Sequence, residues 1–181
     1  MPDTAGLPPH MANMTALRFR RFMTIRDLPP VPKGHCRWCG EPVPKGRRSW
    51  CSEECVEAYN VRSNPNHVQA LLRRRDHGVC AHCGIDTEEV RALMRACSRK
   101  VPYKGWCQNA NDWGPWGKDT CRILWEADHI VPVSEGGGCC GLENYQTLCL
   151  PCHKAETARL AKRLAEARKQ KRGEPVQGSF A

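Results

Sequence analysis

Two pairs of cysteines flank a short group of polar residues whose types are those of a metal-dependent hydrolase. One pair is Cys80-x-x-Cys83 and the other is Cys149-x-x-Cys152. Between and just after the pairs stand four residues able to bind a metal ion or carry a proton: Asp128, His129, Asn144 and His153. Cysteine pairs with this spacing are typical ligands of structural zinc. Four thiolates on one zinc ion would bring the two distant segments together and set the four polar residues around one point.

These four residues have the types that hydrolysis of a phosphodiester requires. An activated water, charge neutralisation and help for the departing oxygen can all come from one metal ion and one base. His129 is the candidate base, because imidazole takes up a proton near neutral pH. Asp128 and His153 are the candidate ligands of the catalytic ion, and such a mixed site suits Mg²⁺, Mn²⁺ or Zn²⁺. Asn144 could approach the metal or brace the backbone beside His129, and we favour the bracing role.

A strand and a helix are expected to position these side chains. Apolar and β-branched residues predict a strand over 122–130, on which Asp128 and His129 point to opposite sides. Three glycines at 136–138 would then allow the chain to turn. A basic helix is predicted over 154–172, so that His153 stands at its beginning and its ring points back toward the strand.

A second group of cysteines predicts another zinc site nearer the N-terminus. Its members follow the order of a treble-clef-like zinc finger: Cys36, Cys39, Cys51 and Cys55. The chain has 13 cysteines, an odd number that disfavours a framework of disulfides. The sequence opens with no secretory signal, and no run approaches the roughly 20 apolar residues of a membrane span. We therefore expect no membrane partner and an intracellular, reducing location, cytoplasmic in a prokaryote or phage and nuclear in a eukaryote.

The segment 97–121 is the hardest part of the chain to interpret. Its glycines and prolines interrupt regular structure, and its three tryptophans either pack the loop, which we favour, or stack on unpaired bases. Five cysteines lie outside the two quartets: Cys97, Cys107, Cys121, Cys139 and Cys140. We expect free thiols there, with a third zinc site as the less favoured alternative.

The distribution of positive charge points to nucleic acid as the partner. The formal net charge is +9, and two four-thiolate zinc sites would lower it to about +5. Basic residues cluster at two places where we expect contacts to phosphates: Arg73, Arg74 and Arg75, and then Lys154, Arg159, Lys162 and Arg163. A merely solvated basic surface is the alternative for both. Phosphate contacts carry no sequence information, so we expect weak sequence preference.

Residues 125–154 resemble the HNH (His-Asn-His) endonuclease family. The family pattern places Asp-His-Ile-x-Pro before a glycine-rich turn and then Asn-Leu-Gln-x-Leu-Cys-x-x-Cys-His. The chain has Asp128-His-Ile-Val-Pro132 and Asn144-Tyr-Gln-Thr-Leu-Cys-Leu-Pro-Cys-His153, with Tyr145 in place of the usual leucine. The resemblance implies a small, zinc-stabilised α+β fold with a ββα-metal core. It also implies metal-dependent hydrolysis of DNA that leaves 5′-phosphate and 3′-hydroxyl ends.

A longer similarity, over about residues 34–172, is to the C-terminal HNH region of eukaryotic annealing helicases that carry a RAN-binding-type zinc finger. It rests on the segment 36–55, on Arg62-Ser-Asn64 and on His77-Gly-Val-Cys80, besides the motif itself. It implies cutting of particular DNA structures, such as branches or forks. The chain has no Gly-x-x-x-x-Gly-Lys-Ser/Thr loop for ATP. Any helicase activity is therefore expected to come from a separate partner.

These features divide the chain into four expected parts. Residues 1–33 form a flexible basic arm, 34–61 the four-cysteine zinc finger, 62–173 the HNH nuclease domain with its basic C-terminal helix, and 174–181 a tail. The predicted function is that of a metal-dependent DNA endonuclease. A zinc-stabilised DNA-binding module without activity and a nuclease acting on RNA are the alternatives.

Overall fold

The computed structural model describes residues 8, 11, 15–98 and 123–172, and it contains both helices and strands. In chain order the main elements are α1 (Glu53–Ser63), α2 (Pro65–Asp76), α3 (Thr87–Ser98), β1 (Trp125–His129), β2 (Tyr145–Cys149) and α4 (Leu150–Lys171). The strands β1 and β2 pair in a two-stranded sheet. The α+β class predicted from the sequence is confirmed. Among the described residues, no helix has the length and apolar character needed to cross a membrane.

The contacts between residues divide the chain into two compact units. Unit 1 comprises Met1–His77 and Ala127–Thr147, and unit 2 comprises Gly78–Glu126 and Leu148–Ala181. The division falls inside both strands of the sheet. These units are groups of mutually contacting residues, so the division into arm, finger, nuclease domain and tail stays a prediction.

Three helices begin at polar residues whose side chains cap the first turn. Ser52 caps α1, Asn64 caps α2 and Asp86 precedes α3. Each side-chain oxygen accepts one or two hydrogen bonds from backbone N–H groups of the first turn, over distances between 2.8 and 3.4 Å. Such a cap contributes about 1 kcal/mol to helix stability. All three residues are of types that favour the start of a helix.

The strand that carries Asp128 and His129 is shorter than predicted, and the last helix is longer. β1 covers 125–129 rather than 122–130, and Arg122 lies outside the described residues. Ile130 follows the strand, where its side chain is exposed. α4 begins at Leu150 rather than at 154. Pro151 permits this early start, because a proline in the first helical turn forfeits no hydrogen bond.

Unit 1 has an apolar core that includes part of the N-terminal segment. Its buried members are Met11, Leu17, Met23, Cys36, Trp38, Cys55 and Cys139. Met23 also donates its backbone N–H to the carbonyl of Arg62 at 2.9 Å. The described residues from 15 onward therefore pack against the zinc finger and α1. Leu17 and Met23 are too irregularly spaced to predict a buried face from the sequence, and the flexible arm over residues 1–33 stays a prediction.

Unit 2 has a small core built around its cysteines. Cys80, Leu148 and Cys149 are buried, with Ile85 and Cys152 packed against them. Few apolar side chains are available to stabilise such a unit, and small cores of this kind usually depend on metal ions or disulfides.

Candidate active site

Four cysteine sulfurs of unit 2 come together at one point, as the first motif predicts. Cys80 and Cys83 belong to a tight turn in which Gly84 donates its N–H to the Cys80 carbonyl at 2.9 Å. Cys149 ends β2, and Cys152 lies in the first turn of α4. All four sulfurs lie within 4.8 Å of one another, with 3.7 Å between those of Cys83 and Cys149. Zinc–sulfur bonds of about 2.3 Å in a tetrahedron place sulfurs about 3.8 Å apart, so the quartet fits a zinc site.

The cysteine quartet of unit 1 has the same geometry. Cys36 and Cys39 flank a turn that Gly40 completes with a φ of 80°. The sulfurs of Cys39 and Cys51 are 3.3 Å apart, and those of Cys51 and Cys55 are 3.5 Å apart. These separations exceed the roughly 2.05 Å of a disulfide and suit four ligands of one ion. The second zinc-binding quartet is thus brought together as predicted, whereas its treble-clef-like arrangement stays a prediction.

Backbone N–H groups favour the charged form of one cysteine in each quartet. Burial raises the pKa of Cys36, but hydrogen bonds from backbone N–H groups outweigh it and bring the pKa to about 6. The same balance brings the pKa of Cys80 to about 6. Thiolates are the form that binds zinc. Each quartet therefore offers a sulfur that is ionised at neutral pH.

The candidate metal ligand Asp128 lies on β1 with its side chain half-buried. The Gln146 amide on β2 donates a hydrogen bond to Asp128 Oδ2 at 3.3 Å. This contact orients the carboxylate across the sheet. A carboxylate fixed in this way is a suitable oxygen ligand for a hard divalent cation.

The candidate base His129 is buried at the end of β1 and packs on an aromatic ring. Its exposure is 9%, and its ring centroid lies 4.4 Å from that of Tyr145 at an interplanar angle of 46°. His129 Nε2 is buried and has no hydrogen-bond partner within the described part of the chain. Burial lowers the pKa of His129, the positive charge of Arg21 lowers it further, and the Asp128 carboxylate acts in the opposite sense. These effects favour the neutral imidazole.

Asn144 braces the loop that follows His129. Its Oδ1 accepts a hydrogen bond from Val131 N at 2.8 Å. Its Nδ2 donates to the carbonyls of Val131 at 3.1 Å and Gly137 at 2.9 Å. A Cβ atom at Gly137 would lie 1.8 Å from the Val131 carbonyl oxygen, so only glycine allows this close approach. The side chain thus occupies the bracing position favoured from the sequence, and its part in catalysis stays a prediction.

The predicted site residues are distributed over both units. Asp128, His129 and Asn144 belong to unit 1, whereas His153 belongs to unit 2. His153 is half-buried and lies in the first turn of α4, directly after a cysteine of the zinc quartet. The prediction that Asp128 and His153 share one metal ion stays a prediction.

Two of the three arginines at the end of α2 are free to bind a ligand, whereas the third makes structural contacts. Arg73 and Arg74 are exposed and make no side-chain hydrogen bond or ion pair among the residues that the structure describes. Arg75 bonds Asp76 through Nε at 2.6 Å and donates to the carbonyls of Leu142 at 3.2 Å and Tyr145 at 2.9 Å. The tertiary partners of Arg75 could not be identified from the run of three arginines.

On α4 the predicted phosphate-binding residues are exposed: Lys154, Arg159, Lys162 and Arg163. Arg159 forms an ion pair with Glu156 at 2.9 Å. An exposed pair of this kind contributes little to stability and can exchange for a phosphate. The basic face of α4 therefore remains suited to contact with nucleic acid.

Comparison with known proteins finds a family that matches one segment of the chain, and several relatives. Residues 118–159 match the family described as HNH endonuclease. The protein named DNA annealing helicase and endonuclease ZRANB3 from Mus musculus is 36% identical over 129 residues, which cover 64% of this chain and 12% of that protein. Its counterpart from Homo sapiens is 34% identical over 128 residues, covering 65% and 12%. The crystal structure of the human ZRANB3 HNH domain is 32% identical, has a TM-score of 0.41, and the match covers 59% of this chain and 97% of that one.

Residues 118–159 match the HNH endonuclease family, so the predicted resemblance of this segment to that family is confirmed. The predicted likeness to the HNH region of annealing helicases is confirmed as well. The chain spans about 12% of the length of these curated relatives.

Proposed function

We propose that the chain is a metal-dependent endonuclease that hydrolyses phosphodiester bonds of DNA. The observation that carries the proposal is the arrangement of Asp128 and His129 at the end of β1, with Asn144 fixing the loop that follows. A general base must be held in a fixed orientation to act on its substrate. The buried ring of His129 is held in this way, because it packs against the ring of Tyr145.

His129 is the general base in this proposal. Its buried Nε2 has no protein partner among the described residues and can bond a substrate group or a water. Asn144 keeps the base in place through Val131, two residues further along the chain.

Asp128 and His153 are the proposed ligands of a catalytic Mg²⁺ or Mn²⁺ ion, with Zn²⁺ as an alternative. The donor set fits, because a carboxylate oxygen and an imidazole nitrogen bind all three ions. When bound, the ion would supply charge neutralisation at the phosphate and an acidified water. The two cysteine quartets hold structural zinc, and the quartet at the N-terminal side is of the treble-clef-like type.

The proposed substrate is DNA, bound mainly through its phosphates and without strong sequence preference. The relatives are named as annealing helicases as well as endonucleases, which supports a preference for branched or forked DNA and a separate helicase partner. The proposed location is intracellular, in the nucleus of a eukaryote or the cytoplasm of a prokaryote or phage-infected cell.

A plasmid-nicking assay tests the proposal. Zinc-loaded protein is incubated with supercoiled plasmid and Mg²⁺ or Mn²⁺, alongside the variants His129→Ala and Arg37→Ala. We expect the wild type and Arg37→Ala to nick the plasmid and His129→Ala to lose at least 100-fold in rate, which is the lower range for removal of a general base. Equal rates for all three would reject His129 as the base. Binding without nicking by the wild type would favour a DNA-binding module, and cleavage of labelled RNA in its place would favour a ribonuclease.

A further inference from the structure

A strip of arginine and phenylalanine side chains runs beside the glycine turn at 136–138. We call residues 18–22 (Arg-Phe-Arg-Arg-Phe) the arginine strip. Its backbone is fastened to the turn, because Gly138 donates its N–H to the Arg18 carbonyl at 2.6 Å. A Cβ atom at Gly138 would lie 2.1 Å from the Arg20 carbonyl oxygen. The turn therefore needs glycine at this position to let the strip approach so closely.

The glycine turn is itself tied to the candidate active site. The amide of Asn144 bonds both the carbonyl of Gly137 and the backbone of Val131. Val131 lies two residues after His129. The strip and the loop of the proposed base are therefore joined through the glycine turn, by the backbone bond of Gly138 and the side-chain bonds of Asn144.

The three arginines of the strip differ in whether their guanidinium groups are paired with a carboxylate. Arg20 is paired with Asp27 at 2.5 Å. Arg18 and Arg21 are exposed and have no carboxylate partner among the residues that the structure describes. The guanidinium of Arg18 lies 4.8 Å from the centroid of the Phe19 ring, and that of Arg21 lies 5.6 Å from the centroid of Phe22.

These cation–π contacts hold the two guanidinium groups in place and leave their N–H groups free for an anion. The strip is joined to the loop that follows His129 through Gly138, Gly137 and Asn144, so a phosphate bound by the strip would lie beside that loop.

We propose that Arg18 and Arg21 form a phosphate-binding surface that holds the backbone of the DNA strand beside His129. The proposal rests on the nuclease function proposed above and adds a binding surface to it. Guanidinium groups bind phosphate oxygens with paired, charge-assisted hydrogen bonds. Two such groups beside the glycine turn would position the substrate as well as add to its affinity.

Equilibrium binding to a labelled DNA duplex tests the surface separately from cleavage. All proteins carry His129→Ala, so that the DNA stays intact, and each is checked for zinc content and thermal stability. The test variant is Arg18→Ala/Arg21→Ala. A charge-retaining variant, Arg18→Lys/Arg21→Lys, and the exposed arginine of the first zinc turn, Arg37→Ala, serve as controls. Kd is measured between 50 and 200 mM salt, a range over which phosphate contacts weaken strongly.

We expect the double alanine variant to raise Kd about tenfold and to reduce the slope of log K against log salt by about 2, as expected for two lost phosphate contacts. Arg37→Ala should stay within about twofold of the parent. The lysine variant should keep the parent's salt slope but raise Kd about threefold, because an ammonium group retains the charge and loses the paired hydrogen bonds. An unchanged Kd and slope for the double alanine variant would overturn the proposal. So would an equal loss of affinity in Arg37→Ala, because the effect would then come from net charge alone.

The nicking assay distinguishes failure of the binding-surface proposal from failure of the nuclease proposal. If the wild type does not nick DNA but the double alanine variant still binds about tenfold more weakly, the arginine strip is a binding surface and the nuclease proposal fails. If the wild type nicks DNA and Kd does not change, the strip is rejected and the nuclease proposal stands.

Discussion

The side chain of His129 owes its orientation to Tyr145. The two rings pack in a tilted arrangement with centroids 4.4 Å apart, and an aromatic pair of this kind contributes about 1 kcal/mol beyond its buried area. Tyr145 replaces the leucine usual at this position of the motif, so the flat ring that supports the base is a feature of this chain.

Replacing the ring of Tyr145 should therefore impair catalysis more than binding. We expect Tyr145→Phe to keep kcat within about twofold, because the ring remains. Tyr145→Leu should lower kcat about tenfold with little change in KM, since a misplaced base affects the chemical step. Nicking kinetics measure both constants, and thermal unfolding controls for stability. A fully active Tyr145→Leu variant would contradict the positioning role.

Among the secondary-structure elements, the end of α2 is hydrogen-bonded to β2 through Arg75 and Asp76. We call these two residues and their hydrogen bonds the latch. Asp76 accepts two hydrogen bonds from Arg75, at 2.6 and 2.9 Å, and one from Thr147 Oγ1 at 2.6 Å. Arg75 also donates a hydrogen bond to the backbone carbonyl of Tyr145. The helix end thereby holds the strand that carries the ring supporting His129.

Breaking this latch should destabilise the fold, whereas removing its exposed neighbour should not. We expect Arg75→Ala to lower the free energy of unfolding by about 1.5 kcal/mol, because charge-assisted hydrogen bonds are lost, and Arg74→Ala to change it by less than about 0.5 kcal/mol. Urea unfolding of zinc-loaded protein measures both. Equal stability of the two variants would show that the latch contributes nothing.

The pH dependence of the latch follows from Asp76. Hydrogen bonds from Arg75 lower the pKa of Asp76, burial opposes them, and the Thr147 hydroxyl adds to the lowering. Stability from a lowered carboxyl pKa is complete above the unfolded value of about 3.9 and is lost only below it. The stability difference between wild type and Asp76→Asn should therefore be constant from pH 6 to 8. A difference that changes within this range would assign the effect to another group.

Several elements follow directly from local sequence, and others depend on tertiary contacts. Helix starts at Ser52 and Asn64 are predictable because each cap bonds its own first turn. The cysteine quartets are predictable because ligand chemistry and short spacing specify them. The packing of Leu17 is not, since its apolar cluster includes residues from 11 to 139 that share no local pattern. The backbone partners of Arg75 are not either, because they lie 67 and 70 positions further along the chain.

At the scale of the whole molecule, zinc substitutes for a large apolar core. Unit 2 has five buried apolar residues in its described part, and two of them are cysteines. Eight of the 13 cysteines form the two quartets, and each quartet would bind one zinc ion. Elemental analysis of purified protein should therefore find about two zinc ions per chain.

Removal of zinc should abolish the cooperative thermal transition, because metal binding and folding are coupled in such small units. Readdition of Zn²⁺ under reducing conditions should restore the transition. A protein that keeps its melting temperature after complete zinc removal would refute the structural role of the quartets.

A Mn²⁺ titration of zinc-loaded protein, followed by electron paramagnetic resonance, tests most directly whether Asp128 and His153 share one divalent ion beside His129. The wild type is compared with Asp128→Ala, His153→Ala and the double variant, each verified to retain its zinc. We expect one Mn²⁺ site that either substitution weakens at least tenfold, with the double variant little worse than either single one, because ligands of one ion act as a unit. Wild-type Mn²⁺ affinity in His153→Ala would contradict the shared site.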